Sequence, residues 1–129
     1  MTELTDTGHA TRSKVLGAAH VARSDAQATP LDAPFLALIT DAAWGHVWSR
    51  DTISLRERSM MTIALLAGLG NDGELALHLR SIPNTGASRD DVLEALMHVA
   101  IYAGVPRANH AFKIAREVFA EADQQGEQS

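Results

Sequence analysis

The chain has 129 residues, a formal net charge of −5 at pH 7 and no cysteine. This length suits one domain with a single core, and an apolar content of 46% is typical of a globular protein rather than a disordered one. The acidic balance argues against nucleic acid as a partner, because phosphate binding needs a basic surface. Without cysteine there is no disulfide framework, no thiol nucleophile and no thiolate metal site.

Targeting signals are equally sparse. No apolar run approaches the roughly 20 residues that span a bilayer. Residues 1–9 lack the basic and apolar blocks of a signal peptide. We therefore expect a cytoplasmic protein that has no membrane partner.

The first part of the chain predicts two helices after a polar start. We expect residues 1–11 to form a flexible tail and a helix to run from Arg12 to about Ser24. A second helix begins at Asp32 and runs through Ile39 towards Trp48.

Three further helices begin with capping pairs, in which a polar residue precedes an acid by three positions. These pairs are Ser54 and Glu57, Asn71 and Glu74, and Ser88 and Asp91. Gly70 stops the first of these helices, the second closes around residues 83–86, and Gly104 stops the third.

The third of these helices and a last one carry apolar stripes at helical spacing. The stripes are Val92, Leu96, Val99 and Ala103, and then Ala108, Ala111, Phe112, Ala115, Val118 and Phe119. Pro106 suits the first turn of the last helix, and residues 123–129 predict a second flexible tail. Together these elements predict an all-α, single-domain bundle of about six helices over residues 12–122.

The central helix, residues 55–69, is apolar on most sides after its first turn. Such a helix is buried all round, either at the centre of one domain or at a subunit interface. Because a chain this short has a limited core of its own, we expect a homo-oligomer.

Both tryptophans lie in one short segment that ends in an arginine. Trp44 and Trp48 are four residues apart, which places both rings on one face of a helix, and Arg50 follows. Apolar walls that end in a fixed cation suit a small organic acid. The alternative is that both rings are ordinary core residues, which is the commoner role at this spacing.

A second cluster, Glu74, His78 and Arg80, lies on the helix that starts after Asn71. A carboxylate four residues from an imidazole raises the pKa of the imidazole and orients it, which suits a proton donor. The alternative is a solvated ion pair. A metal site is the weaker interpretation, because no third ligand follows at a recognised spacing.

Two arginines in the first turn of the central helix, Arg56 and Arg58, point to different sides. One of them can reach solvent while the other enters a cleft. For His20, Tyr102 and Asn109 the sequence leaves open whether they line a site or only bond at helix ends.

The order of these residues resembles the carboxymuconolactone decarboxylase family. The similarity covers Arg12 to Phe119, and its most distinctive segments are Ala43-Trp44-Gly45 and Leu77-His78-Leu79-Arg80. Members of the wider alkylhydroperoxidase D-like superfamily use Cys-x-x-Cys followed by a histidine. The corresponding positions here are Asn71 and Glu74, so thiol peroxidase chemistry is not available.

The resemblance implies an alkylhydroperoxidase D-like fold, a hexamer, and conversion of 4-carboxymuconolactone to 3-oxoadipate enol-lactone and CO₂ with neither cofactor nor metal. It implies that His78, tuned by Glu74, protonates carbon, with His20 as the reserve acid. One arginine of the set Arg50, Arg58 and Arg80 is expected to bind the acetate arm that the product retains. Trp44 and Trp48 form a dry wall, and Tyr102 and Asn109 complete the substrate contacts. The alternatives are a same-fold enzyme for another lactone or keto acid, and a non-catalytic oligomer that binds a small acid.

Overall fold

A computed structural model describes the backbone of residues 2–128 and the side chains as far as residue 126. Over that range the chain is helical and contains no strand, which confirms the all-α prediction. Residues 2–128 form eight α-helices, rather than about six, and one π-helix. Their bounds are α1 Glu3–Leu16, α2 Ala18–Ala26, α3 Ala33–Ile39, the π-helix Thr40–Trp48, α4 Leu55–Leu69, α5 Asp72–Arg80, α6 Ile82–Thr85, α7 Arg89–Tyr102 and α8 Val105–Gln128.

The larger helix count comes from breaks inside predicted helices. Gly17 has a φ of 92°, which only glycine adopts easily, and it separates α1 from α2. Pro83 has no backbone N–H for the carbonyl of Leu79, so α5 ends at Arg80 and the short α6 follows. The helix from Asp32 does reach Trp48, but its second half is a π-helix.

Both predicted tails are helical in the residues that the structure describes. α1 begins at Glu3 because the hydroxyl of Thr2 accepts a hydrogen bond from the backbone N–H of Thr5 at 3.1 Å. α8 continues past Asp123, whose carboxylate pairs with Arg89 through both guanidinium Nη atoms, at 3.2 and 2.8 Å. Residues 1 and 129, also assigned to the tails, lie outside the described residues.

Contacts divide the chain into two compact units, residues 1–54 and 55–129. In the first unit, α1 and the π-helix approach closely through two glycines. A Cβ on Gly8 would overlap the carbonyl oxygen of Thr40, and one on Gly45 would lie 2.6 Å from the side chain of Leu4. The hydroxyl of Thr5 also donates to Asp41 at 2.7 Å. This tight crossing fixes the segment that carries both tryptophans.

In the second unit, α4, α5, α7 and α8 enclose an apolar core. The stripe on α8 is confirmed, since Ala108, Ala111, Ala115 and Val118 are buried and both phenylalanines pack against them. The first three residues of the other stripe are buried on α7, whereas Ala103, which follows the end of α7, is exposed. None of the described helices is long and apolar enough to cross a membrane.

The central helix α4 is buried on one side only. Ile63 and Ala67 face the core, whereas Met61, Leu65 and Leu69 are 50%, 64% and 67% exposed. Burial all round is therefore wrong for the isolated chain. The outer side of α4 is left uncovered in this chain, and its place at a subunit interface stays a prediction.

Candidate functional site

The tryptophan pair lies in the first unit, on the π-helix. The rings of Trp44 and Trp48 stack with their centroids 5.1 Å apart and their planes at 29°, and both residues are buried. The hydroxyl of Ser49 donates to the carbonyl of Trp44 at 2.6 Å where the helix ends. Arg50 follows on an exposed turn. The predicted pairing of the two rings is thus present, and π-helical segments are frequent at functional sites.

His20, the reserve proton donor, also lies in the first unit. It is half-buried on α2, one residue before the buried Val21. Its ring is thus partly accessible within that unit.

In the second unit, His78 is buried on α5. It shares the core-facing stripe of Leu75 and Leu79, since residues three and four apart lie on one face of a helix. The exposed carboxylate of Glu74, one turn earlier, is its electrostatic neighbour. The two predicted partners are therefore brought together.

Two opposing effects act on the pKa of His78. Burial lowers the pKa below its usual value because a low-dielectric setting disfavours the charged imidazolium. The negative charge of Glu74 raises the pKa, but by less than burial lowers it. The predicted effect of Glu74 is therefore present, but burial outweighs it and the net shift of the His78 pKa is downward.

The two arginines at the start of α4 point to different sides, as predicted. Arg58 is buried, with 8% of its surface exposed. Arg56 points outward and its guanidinium binds both carboxylate oxygens of Asp91 on α7, at 2.7 and 2.8 Å. The fixed outward position of Arg56 leaves Arg58 as the arginine on the inner side of this turn.

Arg58 and His78 lie at the same end of the α4–α5 hairpin. Only Gly70 and Asn71 connect the two helices, which makes them antiparallel neighbours. At 1.5 Å per residue, Arg58 is about 16 Å before the end of α4 and His78 is about 9 Å after the start of α5. The axial offset is therefore little more than one helical turn.

Three further predicted residues are exposed in the second unit. Arg80 ends α5, where a cation complements the negative end of the helix dipole. Tyr102 is 85% exposed and stacks on His98 at 6.2 Å between centroids. Asn109 lies on the outer side of α8. All three differ in this respect from Arg58 and His78, which are both buried.

Asp91 is a residue whose full role the sequence did not reveal. The capping box with Ser88 was predicted and is confirmed, with the backbone of Asp91 donating to the hydroxyl at 3.0 Å. The same carboxylate also binds Arg56, and this charge together with the backbone N–H of Ser88 holds the pKa of Asp91 far below its usual range. A capping motif indicates only local bonds, so the link to α4 had no sequence signal.

We next consider whether the described side chains, residues 2–126, could bind a metal ion. Among residues 2–126, the structure places no three His, Asp or Glu side chains together in a way that could hold an ion. The chemically distinctive groups are thus a buried histidine, a buried arginine and a pair of stacked indoles.

These groups lie on a small, helical and cysteine-free protein. A profile of the Carboxymuconolactone decarboxylase family matches residues 33–117. The chain belongs to this family, which confirms the resemblance seen in the sequence.

Two curated relatives are similar over most of the chain. A 4-carboxymuconolactone decarboxylase from Acinetobacter baylyi is 42% identical over 108 residues, which are 84% of this chain and 81% of that protein. A nitrosuccinic acid decarboxylase from Metarhizium robertsii is 35% identical over 124 residues, 96% of this chain and 87% of that protein. Both relatives are named as decarboxylases of small organic acids.

Proposed function

We propose that this protein decarboxylates 4-carboxymuconolactone to 3-oxoadipate enol-lactone, in the 3-oxoadipate pathway of protocatechuate breakdown. The observation that carries the proposal is the 42% identity to a decarboxylase of that name over 84% of the chain. The presence of a buried histidine and a buried arginine in the second unit supports it.

The substrate supplies its own electron sink. The departing carboxylate is attached to a ring carbon that is joined through a C=C bond to the lactone carbonyl. When the C–CO₂ bond breaks, its electron pair moves through that C=C bond onto the carbonyl oxygen and gives a dienolate. Protonation of the ring carbon next to the carbonyl then yields the enol-lactone. The protein must hold two carboxylates, stabilise the oxyanion and deliver one proton.

His78 is the proposed proton donor. Burial lowers its pKa, which favours the neutral imidazole in the free protein. A bound dianionic substrate favours the imidazolium by charge attraction, so binding draws a proton onto the ring. Proton delivery to carbon then returns the imidazole to its neutral form. Glu74 supports the charged form during this cycle, because the charge of Glu74 raises the pKa of His78.

Arg58 is the proposed anchor for negative charge on the inner side. A guanidinium stays protonated when buried and presents a planar fork to a carboxylate or an oxyanion. Arg50 and Arg80 are exposed, and we propose one of them for the retained acetate arm. A well-placed donor to the oxyanion contributes on the order of 3 kcal/mol to transition-state stabilisation.

The stacked indoles of Trp44 and Trp48 are the proposed apolar wall beside the leaving carboxylate. A less polar setting disfavours a localised charge more than the spread charge of a dienolate. His20 is kept as the alternative proton donor. Tyr102 and Asn109, which are exposed in the chain as Arg50 and Arg80 are, are kept as proposed substrate contacts.

A second candidate substrate is nitrosuccinic acid. It is favoured by the 35% identity over 96% of the chain to a decarboxylase named for that acid. Its chemistry makes the same demands, because CO₂ loss beside a nitro group places the electron pair on the nitro oxygens as a nitronate. Two alternatives remain. One is an enzyme that acts on another lactone or keto acid, and the other is a protein that binds a small acid without turnover.

The test is an assay of the purified protein with each of the two acids. Loss of the ultraviolet absorbance of the unsaturated lactone, together with CO₂ release, is expected for 4-carboxymuconolactone. The matched control is His78→Gln, which keeps a polar side chain of similar size. Turnover of nitrosuccinate alone would reassign the substrate, and binding of either acid without CO₂ release would refute the enzymatic proposal.

The assembly and location are also proposals. We propose a homo-oligomer, a hexamer by resemblance to the family, that acts in the cytoplasm. The uncovered apolar side of α4 supports self-association.

A further inference from the structure

The start of α4 is tied to the start of α7 by one ion pair. The guanidinium of Arg56 donates to both carboxylate oxygens of Asp91, from Nη2 to Oδ1 at 2.7 Å and from Nε to Oδ2 at 2.8 Å. Two parallel bonds of this kind fix the orientation of the guanidinium as well as its distance. The ion pair therefore sets the direction in which Arg56 leaves the first turn of α4.

Asp91 is the fixed end of this ion pair. Its side chain is 12% exposed, whereas that of Arg56 is 51% exposed. Its Oδ2 atom also accepts a hydrogen bond from the backbone N–H of Ser88 at 2.9 Å. The next residue along α7, Val92, is buried in the apolar core. Because the cap of α7 already holds the carboxylate, Arg56 takes its position from Asp91.

The direction of Arg56 also determines that of Arg58. Residues two apart on an α-helix are separated by about 200° around its axis, because each residue turns by about 100°. With Arg56 held against Asp91, Arg58 faces the opposite way and is 8% exposed. A rotation of this turn that moved Arg56 away from Asp91 would carry Arg58 with it. The residues through which α4 joins the apolar core all lie further along the helix, and they are Ile63, Ala64, Leu66 and Ala67.

We propose that Asp91 is a positioning residue, which sets the rotation of the first turn of α4 through Arg56 and so holds Arg58 in place for the negative charge of the substrate. The inference rests on the role proposed above for Arg58. Neither Asp91 nor Arg56 is assigned a contact with the substrate. A misplacement of about 1 Å can lower a rate by about 10²-fold, so a link that does not touch the substrate can still control turnover.

The first experiment cuts the link with Arg56→Met, which leaves the capping box of Ser88 and Asp91 in place. The matched control is Arg89→Met. The side chain of Arg89 is 50% exposed and binds both carboxylate oxygens of Asp123 at 2.8 and 3.2 Å, but the side chain of Asp123 is itself 61% exposed. We expect kcat/KM for 4-carboxymuconolactone to fall about 10- to 100-fold in Arg56→Met and to stay at the wild-type value in Arg89→Met. A loss in folded Arg56→Met that is no larger than the loss in Arg89→Met would overturn the proposal.

A double-variant cycle with Arg58→Lys separates positioning from a general loss of stability. If Arg56 acts through Arg58, Arg56→Met lowers kcat/KM in the wild-type background but causes little further loss once Arg58 has been replaced. A merely structural effect would instead lower kcat/KM by the same factor in both backgrounds. Equal factors would therefore refute the positioning role.

A spectroscopic measurement tests the link without reference to turnover. The Nε–H resonance of Arg58 in a proton–nitrogen correlation spectrum is assigned by its loss in Arg58→Lys. We expect this resonance to shift in Arg56→Met and to stay in place in Arg89→Met. If neither acid is decarboxylated, the proposed function fails, and the resonance still decides whether Arg56 positions Arg58. An unchanged Arg58 resonance in folded Arg56→Met would refute the link, whatever the activity.

Discussion

Replacement of His78 separates a role in chemistry from a role in packing. The residue is 6% exposed and shares its stripe with Leu75 and Leu79, so both effects have to be measured. His78→Gln keeps most of the volume and a hydrogen-bonding group. His78→Ala leaves a void instead, and at about 24 cal/mol per Å³ a void of roughly 60 Å³ lowers the free energy of unfolding by about 1.5 kcal/mol.

The two variants are therefore expected to differ in stability and agree in activity. For a chain of this size, about 1.5 kcal/mol lowers the Tm of His78→Ala by roughly 5 °C, whereas the Tm of His78→Gln stays near that of the wild type. Loss of a general acid reduces kcat by about 10² to 10⁴, which is roughly 3 to 5 kcal/mol in the activation barrier. Both variants should show this loss.

The assay is continuous ultraviolet detection of lactone consumption, paired with thermal unfolding by circular dichroism. His110→Gln is the control, since His110 is an exposed histidine of the same unit whose imidazole bonds to Asp72 at 2.8 Å. We expect it to retain wild-type kcat. If folded His78→Gln keeps more than a tenth of the wild-type kcat, His78 is not the proton donor and His20 takes its place.

Three further predictions follow from the same geometry. Burial lowers the pKa of His78 in the free protein, so kcat/KM should fall as the pH rises through a value below the pKa of free histidine. The fall in kcat should lie at higher pH, because bound carboxylates favour the imidazolium. Falls in kcat/KM and kcat at the same pH would contradict this proton uptake. Gly8→Ala should lower the Tm measured by differential scanning calorimetry, because its Cβ overlaps the carbonyl of Thr40. In the control Gly73→Ala the new Cβ meets nothing within 4 Å, so its Tm should be unchanged or raised. Equal Tm values for the two variants would contradict the close crossing of α1 and the π-helix. Asp91→Asn should lower the Tm at pH 7. The difference in Tm from the wild type should shrink as the pH falls well below the ordinary aspartate pKa, because a carboxylate whose pKa is lowered in the folded state loses its stabilising effect there. A Tm difference that stays constant down to pH 2 would show that the ion pair with Arg56 does not stabilise the fold.

The prediction for Asp91 shows how far a local motif can be followed from sequence. The spacing of Ser88 and Asp91 predicted the capping box, because a cap is formed by groups within one helical turn. The partner of the same carboxylate, Arg56, is 35 residues away. Only the packing of α4 against α7 brings the two side chains together.

The sequence by itself determined the helical class, the stop at Gly70, the apolar stripe of α8 and the family, because caps, glycines and periodic apolar residues act over one or two turns. The tertiary structure decided whether each side chain is covered. Burial of His78 outweighs the raising effect of Glu74 on its pKa, and the outer side of α4 is uncovered although its sequence is apolar nearly all round. Both outcomes depend on which helices meet, and that is set by contacts between residues distant in the chain.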